Sequence, residues 1–193
     1  MNPWKNHNLD GLQPGHLLDM VATAARIIAE HGFDPCTKAQ AAAHETGHCI
    51  VACALGENVL GARIWQDNDG HWVGINKRGD GKDRAGFYAH ERPAEAFRQA
   101  CNLFAGVAGE DMAGHYHPAS SIDEREKARA ICAELDDISG SPDGTTQLHA
   151  ANVVQAILTR YRPQFDTVRL HLMQQRRLTP KEASRMLAKV GEL

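Results

Sequence analysis

The stretch AAAHETGHCIVACALG, residues 41–56, sets His44, Glu45 and His48 into a run otherwise made of small and apolar residues. Such a run is built for burial, and burying two imidazoles and a carboxylate without partners is costly. A bound cation offsets that cost. On a helix, residues four apart share a face one turn apart, so His44 and His48 can aim a nitrogen at the same ion. Zinc suits them, because it takes neutral imidazole at about 2.0–2.1 Å in a roughly tetrahedral set. Glu45 is then presented beside the ion rather than on it, where a carboxylate can take a proton from water. Zinc, when bound, acidifies a water and polarises a carbonyl, and Glu45 can pass the captured proton to a leaving amine. Peptide hydrolysis, with one zinc ion per chain, is the reaction these roles fit. The competing expectation is a chance H-E-x-x-H match in a chain with 11 histidines. Against it stands the apolar, helical context of the motif.

Thr37 is placed to cap a helix over about residues 38–55, and Gly56 to stop it in a left-handed turn. Ahead of it, HLLDMVATAARIIAEHG puts Leu17, Leu18, Val21, Ala24, Ala25, Ile28 and Ala29 on one helical stripe ending at Gly32. VLGARIWQ (59–66) and HWVGINK (71–77) flank the turn-former DNDG and predict an antiparallel hairpin. Pro93 opens a helix in which Phe97, Ala100, Leu103, Phe104, Val107 and Ala108 recur at helical spacing and are expected in the core. S-I-D-E at 121–124 has the form of a capping box for a helix through about Leu135. Three further helices are expected, at about 146–161, about 163–176 and from Pro180, the last capped by Thr179 with Glu182.

The 193 residues are 42% hydrophobic and 23% charged with a net charge of −3, which offers no electrostatic footprint for nucleic acid or an anionic membrane. No apolar run approaches the ~20 residues that span a bilayer. The RGDGKDRAG stretch is a charged surface loop, since no G-x-x-x-x-G-K-[ST] phosphate loop occurs. The five cysteines are odd in number and form no C-x-x-C pair, which fits free thiols in a reducing compartment. Cys49 and Cys53, although on the histidine helix, are expected as core packing. The N-terminal MNPWKNHNLDGLQPG lacks the layout of a signal peptide, so a cytoplasmic location is expected.

The order of the HETGH helix, the VLGARIWQDNDGHWVGINKR segment, the NLFAGVAGEDMAG helix and SSIDEREKARAI resembles the peptidase domain of the FtsH family of zinc proteases. The resemblance covers about Lys38 to Leu135. It implies an α+β, mostly helical, zincin-like fold: a peptidase core over residues 1–140 and a C-terminal helical subdomain, 141–193, packed on it. It further implies a third zinc ligand on the helix after AGED, where the family carries an aspartate four residues before an alanine. Counting without gaps from Ala108 to Ala128 puts Glu124 there. Asp123, one residue away, is the aspartate, and a one-residue slip in the HYHPAS loop would bring it into place. Both are candidates. FtsH proteins carry an ATPase module and membrane segments ahead of the peptidase, and neither is found in these residues. An ATP-independent metallopeptidase acting on peptides or unfolded segments is therefore expected.

His115 and His117 are further candidate ligands, read more simply as a solvated loop. Asp111 or Glu110 could hydrogen-bond a ligating imidazole. The strand from Ala62 to Gln66 could serve as an edge to which an extended substrate adds, with Trp65 and Trp72 beside it or packed on a neighbouring helix. Two other functions compete: a zinc protein that binds peptides or a partner without cutting, and a helical interaction protein. The latter would use Leu148, Val153, Val154, Ile157, Leu158 and Tyr161 as a homo-oligomer face, unless these form the core of a helical subdomain.

Overall fold

The computed structural model describes residues 35–79, 89–117 and 121–191. The helix expected after Gly15 and most of the RGDGKDRAG stretch lie outside these residues. Among the described residues there are six helices and one three-stranded antiparallel sheet, an α+β arrangement that is mostly helical. They are α1 (Lys38–Ala54), β1 (Val59–Gln66), β2 (Trp72–Arg78), α2 (Pro93–Met112), α3 (Ile122–Ser139), α4 (Thr145–Arg160), α5 (Arg162–Gln175), β3 (Arg177–Leu178) and α6 (Pro180–Met186).

α1 is the central element. Its sequence is small or apolar almost all round, and residues 41–43 and 45–52 are all buried, the pattern of a helix enclosed on every side. Thr37 caps it through a capping box with Gln40. Past its end, Gly56 takes φ +82°, the Gly56 N–H bonds the Cys53 carbonyl and the Glu57 N–H bonds the Ala52 carbonyl at 2.9 Å. This double closure satisfies the last carbonyls and needs a residue free to turn left-handed. Around α1 pack α2, the sheet, α5 and α4.

The β1–β2 hairpin turns at Asp67, whose carboxylate accepts the N–H groups of Asp69 and His71. The sheet has order β2-β1-β3, so the strand expected as an open edge is the middle one. Ala62 and Arg63 pair with Leu178 and Arg177, and the Ile64 N–H continues the ladder to the Arg176 carbonyl at 2.9 Å. A bulge between Val59 and Gly61 lets β1 approach the Leu178 carbonyl so closely that a Cβ on Gly61 would overlap it. Because Gln66 pairs with Trp72 and Trp65 with Val73, the two tryptophans lie on opposite faces and cannot line one cleft. Trp72 instead sits among Lys38 and Arg176, whose cationic ends lie 5.3 and 5.2 Å from its ring centre.

The core is continuous from the hairpin to the C-terminal helices. Ile50, Val51, Ile64, Cys101, Val154, Leu158, Phe165, Val168 and Leu172 belong to one buried cluster. Val154, Leu158 and Tyr161 are thus interior residues, whereas Leu148 stands exposed. On α2 the deeply buried face is Ala96, Ala100, Cys101, Asn102, Ala105, Gly106, Gly109 and Glu110. The larger Phe97, Leu103, Phe104 and Val107, expected in the core, are only half-buried. The reason is the close crossing of α1 and α2: a Cβ on Gly47 would overlap the Ala105 carbonyl, so only small residues fit between the two backbones. No helix among the described residues is long and apolar enough to cross a membrane.

Candidate metal centre

His44 and His48 project from α1 toward α2, and α2 holds both rings. Nδ1 of His44 donates to Glu110 Oε1 at 2.7 Å, and Nδ1 of His48 donates to the Asn102 carbonyl oxygen at 2.8 Å. Carboxylate and carbonyl oxygens only accept, so the hydrogen of each neutral ring sits on Nδ1 and each Nε2 offers a lone pair. The two Nε2 atoms are 3.1 Å apart. Glu124 closes the third side, with Oε2 at 3.2 Å from His44 Nε2 and Oε1 at 3.4 Å from His48 Nε2. One ligand atom from each of the three residues lies within 4.8 Å of the others.

These residues fit a zinc ion. Two donors bound at about 2.0–2.1 Å with a tetrahedral angle stand about 3.3 Å apart. The two Nε2 atoms are close to that spacing, and each has one of the two Glu124 oxygens at a like distance. Three electron-pair donors facing inward repel unless a cation lies among them. Glu124 Oε2 is buried and faces His44 Nε2. In the metal-free chain a proton supplies the positive charge. Burial disfavours it on His44, but hydrogen bonds to Glu110 and Glu124, with the charges of Glu45 and Glu124, push the pKa up to about 10. Burial would raise Glu124, yet its hydrogen bonds to His44 and His48 hold it well below the usual carboxylate range.

α3 decides which acidic residue reaches the site. Ala128, Cys132 and Leu135 form its buried stripe, and Glu124 stands one turn before Ala128 on that line. Asp123 is exposed and does not join the cluster. The expected capping box is not formed: Ser121 makes no side-chain cap, and the Glu124 carboxylate that would complete the box is turned onto the histidines. We expect Glu124→Ala to weaken zinc binding by more than the about 10–100-fold typical of an outer partner, and Asp123→Ala to leave it unchanged. A competitive zinc titration of the two variants checks this, and equal losses would remove Glu124 from the site.

Of the adjacent acidic residues Glu110 and Asp111 on α2, Glu110 is fully buried and grips His44, and its Oε2 also accepts the His117 N–H at 2.8 Å. Asp111 is exposed. The imidazoles of His115 and His117 do not join the metal-ligand cluster. Nor do Cys49 and Cys53: burial pushes the Cys49 thiol far up, and Cys53 Sγ faces the Leu187 and Val190 carbonyls at 3.8 Å.

Glu45 is buried beside this cluster and is not part of it. Asn76 Nδ2 donates to its Oε2 at 3.2 Å. Burial raises its pKa, while the nearby His48 and His44 charges and the Asn76 hydrogen bond pull the other way. Two glycines give the side chains room: a Cβ on Gly74 of β2 would overlap the Glu45 carboxyl, and one on Gly106 of α2 would overlap the His44 ring. Asn102, Asn76, Gly74 and Gly106 are parts of the site that spacing did not reveal. Gly106 does sit in the small-residue series Ala105, Gly106, Gly109, a pattern that marks a close backbone approach.

No protein-family model matches the chain, and no curated protein sequence matches it. The geometry of the site itself therefore carries the functional argument.

Proposed function

We propose that the chain is a zincin-like zinc metallopeptidase that hydrolyses peptide bonds in peptides or unfolded segments without nucleotide, as its resemblance to FtsH-type peptidases implies. The observation that carries this reading is the convergence of His44 Nε2, His48 Nε2 and the Glu124 carboxylate, one oxygen near each ring, with a buried Glu45 outside the cluster beside them. Three protein ligands leave a fourth position open, the arrangement of catalytic rather than structural zinc. Bound there, zinc would supply an acidified water and a polarised carbonyl.

The protein's own groups divide the remaining work. Glu110 and the Asn102 carbonyl fix the tautomer and tilt of the two imidazoles. Glu45, aligned by Asn76, takes the proton of the attacking water and delivers it to the leaving amine. Its burial raises its proton affinity, which suits a group that must both accept and return a proton. β2 replaces β1 as the edge available to substrate. The Trp72 N–H points away from β1 to the Cys36 carbonyl, and Ile64 turns its N–H toward β3. By the alternation of an antiparallel ladder, the main-chain groups of Trp72, Gly74 and Asn76 then all face outward from β1. Cys36 takes the Trp72 N–H, but no strand pairs with that side among the described residues, and an extended peptide can add along Gly74 and Asn76 with little sequence preference.

The test is metal analysis and casein-peptide hydrolysis, with and without a chelator. We expect one zinc per chain and hydrolysis that stops on chelation and returns with zinc. Zinc uptake by the metal-free protein also carries a proton signature. His44, protonated below about pH 10, must become neutral to ligate, so binding near neutral pH releases about one proton and strengthens as pH rises. Calorimetry in buffers of different ionisation heat reads that proton. Zinc without turnover would favour a peptide-binding protein, and no zinc at all would overturn both readings.

A further inference from the structure

We infer that the side-chain carbonyl of Asn76 receives a backbone N–H of the bound peptide, making Asn76 a substrate-binding residue of the site. The inference rests on the peptidase reading above and names a contact that reading does not require. Asn76 Nδ2 donates to Glu45 Oε2 at 3.2 Å. An ionised carboxylate only accepts, so this bond fixes the amide with Nδ2 on Glu45 and turns Oδ1 away from it. Oδ1 is buried and has no partner among the described residues. Buried polar groups without partners are rare and costly, so this acceptor calls for a donor.

Its position says which donor. Asn76 lies on the edge strand β2, two residues beyond Gly74, whose missing side chain lets Glu45 press against the strand. The Asn76 main-chain groups face the outer side of β2, where an extended peptide would lie, and its side chain touches the group assigned to move the proton. A peptide brings one N–H per residue along that edge. The N–H nearest Glu45 can therefore meet Oδ1, tying the register of the peptide to the position of Glu45. This selects amide-bonded, extended substrates rather than particular side chains.

The experiment compares zinc-loaded wild type and Asn76→Ala on one casein-derived peptide and on versions N-methylated at successive backbone nitrogens. Wild-type kcat/KM should fall about 10–100-fold for one methylation near the cleaved bond. Asn76→Ala should lose a similar factor on the unmodified peptide yet suffer no added loss from that methylation, the non-additivity of two changes to one contact. Zinc content and thermal midpoint of the variant show that the site is intact; if Ala does not fold, Asn76→Ser takes its place. If Asn76 acts only on Glu45, the variant loses the same factor on every peptide and every methylation penalty persists, which overturns the inference. Should wild type hold zinc but cut none of the peptides, the peptidase reading fails by itself. The same comparison, read as peptide affinity by fluorescence anisotropy, then decides Asn76, and failure to bind any peptide overturns it.

Discussion

Glu45→Gln should retain one zinc per chain and lose peptide turnover by about 10²–10⁴-fold, the usual worth of a positioned proton-transfer group. The substitution isolates that role because of where Glu45 sits. It is outside the metal-ligand cluster, so its loss removes no donor from the ion. Gln keeps the volume that fills the space against Gly74, so the packing of β2 on α1 survives. Its amide cannot accept and return a proton. Zinc analysis and casein-peptide hydrolysis on the same preparation separate the two effects, and hydrolysis at the wild-type rate would strip Glu45 of its assigned task.

Gly47→Ala should damage fold and site together. In an exposed helix the change would help, since Ala is favoured over Gly by about 1 kcal/mol. Here the new methyl meets the Ala105 carbonyl and lies 3.2 Å from the Gly109 Cα, both main-chain atoms that no rotamer change can move. Forced overpacking costs about 1–3 kcal/mol, so the net effect is destabilising. The relaxation that relieves it separates α1 from α2 and draws Glu110 and the Asn102 carbonyl away from the imidazoles they hold. Losing such outer partners lowers metal affinity about 10–100-fold. Thermal midpoints with and without zinc and a competitive zinc titration measure both losses. Gly56→Ala is the control: its φ of +82° makes it destabilising, but nothing lies within 4 Å of the added methyl, so zinc affinity should hold. A Gly47→Ala protein as stable and as zinc-avid as wild type would mean that the helices need not approach this closely.

What could be read in advance was what neighbours in sequence determine. The i, i+4 histidines, the Thr37 and Thr179 caps, the Gly56 stop and the hairpin all depend on contacts a few residues long. The candidate for a third ligand was narrowed to two adjacent residues. The buried stripe of α3 separates them, because Glu124 continues the line of Ala128, Cys132 and Leu135 while Asp123 leaves it. β3 escaped notice since two residues carry no periodicity, and its partner on β1 lies far back in the chain. Glu110 was one of two adjacent carboxylates, and only the crossing of α1 and α2 determines which one faces His44. The small side chains on α2 looked like the weaker half of an apolar pattern. They form the buried half because backbone contact, rather than side-chain bulk, sets the distance between the helices.

The pairing of β1 with β3 has a consequence for the order in which the molecule is made. As the chain emerges from the ribosome, the hairpin and the histidine helix appear long before Arg177 and Leu178, so Ala62 and Ile64 wait with their hydrogen-bonding groups uncovered. During that interval β1 can recruit a stray strand from another nascent copy. Cleavage or early termination ahead of Arg176 would make the interval permanent, leaving an aggregation-prone fragment that still carries His44, Glu45, His48 and Glu124.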